Sequence, residues 1–99
     1  MTLKENLLEQ LKVAMKAKDA VHRDAIQMVR AAILQMEKDK QILLDDDAIV
    51  EIIAKEVKRY AEVLPEYEKG GRDDLAQEAR RKMEILKPYL PEQIGRAHV

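Results

Sequence analysis

At 99 residues the chain has room for about one domain, because a chain of this size buries roughly two-thirds of its unfolded surface. Hydrophobic residues make up 46% but aromatic ones only 3%, so the interior must be built from Leu, Ile, Val, Met and Ala, a mix that favours helices over β-sandwiches. With 18 Lys and Arg against 19 Asp and Glu, the net charge of -1 excludes a general field drawing the chain to nucleic acid or membrane, and zero Cys excludes disulfides, thiolate metal sites and thiol nucleophiles.

Thr2 and Glu5 have the spacing of a capping box, so a first helix is expected to start there and to end near Lys18. Leu3, Leu7, Leu8, Leu11 and Met15 give it one apolar stripe. Asp19 can cap a second helix whose stripe runs through Ala25, Ile26, Val29, Ala32, Ile33 and Met36. The gap between the two is short, which predicts an antiparallel hairpin. Asp45, Asp46 and Asp47 open a third helix, their carboxylates matching the positive end of its dipole. Its stripe is Ile49, Ile53, Val57, Tyr60, Leu64 and Tyr67, and Pro65 predicts a kink or a break before helix resumes to Lys69.

The most distinctive stretch is Gly70 to Gln93. Gly70 and Gly71 suit a left-handed helix exit, and Asp73 and Asp74 start a fourth helix that buries Leu75, Ala79, Met83 and Leu86. Glu78 with Lys82 and Arg80 with Glu84 are i,i+4 pairs outside that stripe. Pro88 and Pro91 stop the helix and send the chain out extended through Tyr89 and Leu90. The resulting expectation is an all-α, four-helix antiparallel bundle-like lobe with a kinked third helix.

Chemistry is sparse. The sequence has no Ser as well as no Cys, and Thr2 is occupied as a cap, so no nucleophile for amide or ester hydrolysis is in view and no catalytic residue is expected. His22 lacks a partner at catalytic spacing, and His98 lies near the end of the chain. Neighbouring helical positions point about 100° apart, so the triple Asp cannot converge on one ion. No metal and no cofactor are expected. Arg72, Arg80, Arg81 and Lys82 concentrate positive charge around the last helix and form the candidate nucleic-acid contact, diluted by Asp73, Asp74, Glu78 and Glu84. The N-terminus has no apolar leader and no segment is apolar enough to span a bilayer, so a cytoplasmic location without membrane contact is expected.

The chain resembles the YqeY-like family, small bacterial proteins related to the tail of the B subunit of the tRNA-dependent amidotransferase. The resemblance rests on VRAAI at Val29–Ile33, EYEKGGRDDLA at Glu66–Ala76 and EILKPYLPEQ at Glu84–Gln93. It covers about the first nine-tenths of this chain and about two-thirds of a typical member. It implies a helical N-terminal lobe over residues 1–93, with a smaller C-terminal lobe missing. The related tail is similar to a tRNA-binding module, and the family label, carbon–nitrogen ligase with glutamine as amido donor, is inherited from the amidotransferase complex. Implied partners are tRNA and amidotransferase subunits, with docking to such a subunit or to its own C-terminal lobe as the alternative role, and the truncated lobe is expected to self-associate. Members commonly carry Arg at Gln27, Thr at Leu44, Glu at Ala79 and at Lys82, and no proline at Pro65. Residues 94–99, IGRAHV, can be encoded by ATCGGAAGAGCACACGTC, which looks like the start of a common sequencing adapter. They are therefore expected to be a non-native tail, a reading that genomic resequencing decides.

Overall fold

The computed structural model describes residues 2–91, so the expectations placed on His98 and on residues 94–99 lie outside the described residues. The described residues form four α-helices and no strand: α1 (Leu3–Lys16), α2 (Ala20–Lys40), α3 (Asp46–Lys69) and α4 (Asp73–Leu86), followed by a 3-10 turn at Lys87–Tyr89. The expected all-α class holds. The chain divides between Ile52 and Ile53 into two compact units, and α3 runs through the division.

In the first unit, both bonds of the capping box are made: the Glu5 N–H donates to Thr2 Oγ1 at 3.2 Å and the Thr2 N–H donates to Glu5 Oε1 at 2.9 Å. The Thr2 backbone bond, followed by its hydroxyl, holds the Glu5 carboxyl below the usual carboxylate range. At the other end Lys18 takes the left-handed conformation at φ 57°, and the Asp19 N–H reaches back to the Ala14 carbonyl at 2.9 Å. Asp19 then caps α2, accepting the His22 N–H at 3.2 Å. This tight reversal lays α2 along α1 as a hairpin.

The seam is narrower than the sequence stripe. Leu7, Leu11 and Ala14 are buried, whereas Leu8 and Met15 are 40% and 58% exposed. Each of these two follows a buried residue and so points about 100° away from the seam. From α2, Ala25, Ile26, Val29 and Ile33 are buried, while Ala32 and Met36 are half-buried.

A carboxylate organises the α2–α3 connection. Glu37 pairs with the Lys4 ammonium and also accepts the Leu44 N–H at 2.8 Å. Lys4 first, then Leu44, holds its carboxyl below the usual range. Asp45 caps α3 by accepting the Ala48 N–H at 2.9 Å, and Asp46 accepts the Leu3 N–H at 3.1 Å, tying the start of α3 to the start of α1. Leu44 and Ile52 join Ile49 among the buried residues, although neither lay on the expected stripe.

Lys18 and Gln41, at φ 57° and 55°, hold left-handed positions that favour glycine. Lys18→Gly and Gln41→Gly are each expected to stabilise the protein by about 1 kcal/mol, seen as a higher urea midpoint at unchanged slope.

In the second unit, α3 buries Ile53 and Tyr60, and α4 buries Ala76, Ala79 and Leu86. Val57, Leu64, Tyr67, Leu75 and Met83 are half-buried. Of the kink or break expected at Pro65, the break does not occur: α3 is helical through it to Lys69. Gly71 alone of the glycine pair is left-handed, at φ 70°, and the Arg72 N–H closes the exit on the Tyr67 carbonyl at 2.9 Å. The extended exit from α4 is also corrected. Lys87 keeps helical angles, φ -54° and ψ -39°, because Pro88 fits the first turn of the 3-10 segment; only Leu90, ahead of Pro91, is extended. Tyr89 is half-buried, and that burial pushes its hydroxyl above its ordinary range.

Candidate functional site

The four cations singled out in the sequence all lie in the second unit, but they do not form one face. Arg80, Arg81 and Lys82 are consecutive on α4 and so diverge by about 100° per residue. Arg80 pairs with Glu68 at the end of α3, in place of the expected Glu84. Arg72, ahead of α4, donates through Nε and Nη2 to the two oxygens of Asp74, each at 3.4 Å. That guanidinium, and then the Leu75 N–H, holds the Asp74 carboxyl below its usual range.

Lys82 turns inward. Its Nζ lies 3.3 Å from Glu78, as the i,i+4 spacing predicts, and 5.7 Å from the Tyr60 ring centroid, with only 16% of the side chain exposed. Arg59 adds a second cation 5.3 Å from the same centroid. Arg81 is exposed.

Accessibility therefore separates the set. The Arg72–Asp74 and Arg80–Glu68 pairs are between 48% and 70% exposed, and such surface pairs contribute only about 0 to 1 kcal/mol. Lys82 is committed to the Tyr60 ring, a contact that nothing in the spacing of residues 60 and 82 announces.

A second feature lies in the first unit. A cavity of about 270 Å³ opens beside Lys4, Leu7 and Leu8 of α1 and Arg30, Ile33 and Leu34 of α2. Sequence reasoning passed over Arg30. The available signal was that the positions three and four residues away, Ile26, Gln27, Ile33 and Leu34, carry no carboxylate to pair with it.

Among the described residues no three His, Cys, Asp or Glu side chains gather to hold a metal, and no helix is long and apolar enough to cross a membrane. Asp45 and Asp46 each use one carboxylate oxygen on a backbone N–H group. His22 is half-buried, with its own N–H held by the Asp19 cap.

Fold and side-chain inventory together define an all-α chain with an aliphatic interior and charged helix faces that carry scattered ion pairs. The chain belongs to the family described as Yqey-like protein, whose model matches residues 4–99. Among curated proteins it is similar to "Altered inheritance of mitochondria protein 41, mitochondrial" of Candida glabrata, 34% identical over 89 residues, covering 87% of this chain and 48% of the relative. The proteins of the same name from Eremothecium gossypii and Pyrenophora tritici-repentis are 34% and 26% identical, over 86% and 83% of this chain and 47% and 45% of theirs. The chain thus spans about half the length of the curated relatives it matches. Their names correct the cytoplasmic expectation, since they are called mitochondrial proteins. That expectation rested on the lack of an apolar leader, which a mitochondrial address does not need: such addresses are amphipathic and basic.

Proposed function

We propose that the chain is an amidotransferase-tail-like helical module that associates with tRNA, in a system whose glutamine-dependent carbon–nitrogen ligation is carried out by other chains. The observation that carries this reading is the set of guanidinium groups along α4, where Arg72 ahead of the helix and Arg80 within it sit in exposed ion pairs, with Arg81 exposed next to Arg80 in sequence. Guanidinium groups held in readily exchanged carboxylate pairs suit the backbone phosphates of a folded RNA, which fix orientation without reading sequence. The sequence, without Ser or Cys, supports a holding role over a hydrolytic one. The names of the relatives support a mitochondrial setting.

Full-length chain is expected to bind tRNA with an affinity that falls steeply with salt. The Arg80→Ala/Arg81→Ala pair should weaken binding roughly tenfold at low salt and lower the slope of log K against log salt by about 2. Absence of binding at 50 mM salt, or a double variant indistinguishable from the parent, defeats the reading.

A second reading is favoured by Leu43, Leu34 and Met15, which are 83%, 63% and 58% exposed. Side chains of this kind suit a protein contact, either with an amidotransferase subunit or with a further lobe of the chain's own protein. Capture of a purified amidotransferase subunit that survives nuclease treatment supports this reading over the first.

A further inference from the structure

The cavity between α1 and α2 holds more than an apolar gap. Leu7 and Ile33, 0% and 4% exposed, floor it, while Leu8 and Leu34, 40% and 63% exposed, form its lips. Two leucines at the mouth of a cavity leave apolar surface facing water on both sides of a concave site, the arrangement that an apolar guest would cover.

Its charges are unequal in availability. The Lys4 ammonium is taken by Glu37, whose carboxylate also holds the Leu44 N–H. Glu5 spends its carboxylate on the N–H and hydroxyl of Thr2. Arg30 is half-buried at the same cavity, and among the described residues no carboxylate pairs with it. An unneutralised guanidinium beside a partly desolvated apolar wall is the place where an anion gains most.

We propose that this cavity binds an amphipathic carboxylate, a medium-chain acid whose apolar body lies between Leu8 and Leu34 and whose head group pairs with Arg30. Size supports the class: at roughly 30 Å³ per non-hydrogen atom, the share of one water in the liquid, the cavity admits about nine such atoms. Acetate has no body to cover the leucines, and a long-chain acid would leave most of its tail outside the cavity. With Lys4 paired to Glu37 and the Glu5 carboxylate held at Thr2, Arg30 is the charged group at the cavity whose partner is left to the guest.

The probe is octanoate, titrated into the full chain and followed by methyl and arginine Nε resonances. Saturable shifts are expected at the methyls of Leu7, Leu8, Ile33 and Leu34 and at Arg30 Nε. Octan-1-ol is expected to bind at least about tenfold more weakly, octylammonium not to bind, and Arg30→Gln to weaken octanoate about tenfold. Leu34→Asn should weaken octanoate and octan-1-ol alike, which separates loss of the apolar wall from loss of the charge. Both side chains are only partly covered, and a thermal melt matching the parent establishes that each variant is folded. The proposal is overturned if no saturable shifts appear, if octan-1-ol matches octanoate, if Arg30→Gln binds as the parent does, or if shifts of equal size appear at exposed Leu43 and Met15.

Discussion

Pro65→Ala is expected to raise the free energy of unfolding by about 2 kcal/mol. Proline within a helix lacks the N–H for the i→i−4 bond and its ring crowds the carbonyl four residues back, here that of Ala61, at a cost of about 3 kcal/mol in a helix interior. The α3 helix nevertheless continues through Pro65 to Lys69, so the folded state carries that cost. Pro65 itself is exposed, and trimming its ring to a methyl therefore sacrifices little packing. Part of the gain is returned because alanine gives the unfolded chain more freedom than proline does. Urea unfolding followed by helical circular dichroism measures the difference, and a destabilised variant would show that the ring makes a contact worth more than the missing bond.

Ile26→Ala should move stability the other way by about 3 kcal/mol, lowering the melting temperature by on the order of 15 °C. Ile26 is 0% exposed and lies on the α2 seam with Ala25, Val29 and Ile33, so removing its side chain leaves a void that close-packed neighbours fill only in part. Alanine is the better helix former by about half a kcal/mol, which offsets a small fraction of the loss. Leu43, 83% exposed in the α2–α3 connection, is the control: Leu43→Ala should change stability by less than about 0.5 kcal/mol. Equal losses at the two positions would mean that the seam is not where the structure puts it.

Helix number and type were legible in the sequence because cap residues and apolar period agree at Thr2, Asp19, Asp45 and Gly71. The misplaced core residues have local causes. Leu8 was assigned inward because a stripe drawn from three- and four-residue steps is broader than the face that two packed helices share, and Leu44 was missed because it lies in the connection ahead of α3, where no helical period applies. The unbroken helix at Pro65 reflects a different competition. Residues 60, 64 and 67 keep one face of α3 together across the proline, and near the end of a helix a lost backbone bond is outweighed by keeping that face. At the candidate contact, composition showed the cations but not their partners. Glu68 reaches Arg80 only because the chain reverses at Gly71, and Tyr60 meets Lys82 only once α3 and α4 are folded. Arg30 shows the converse, a cation whose lack of a local partner was written in its neighbours.

The cap at Thr2 bears on how this chain could be switched. Thr2 is its sole aliphatic hydroxyl, and both the oxygen and the backbone N–H of that residue are engaged with Glu5. A phosphate on that oxygen would stand beside the Glu5 carboxylate that the hydroxyl now meets, and of the tyrosines Tyr60, Tyr67 and Tyr89 none is fully exposed. Lysine acylation removes a charge without touching that cap. At Lys4 it would free Glu37 and, through the Leu44 N–H, loosen the connection into α3.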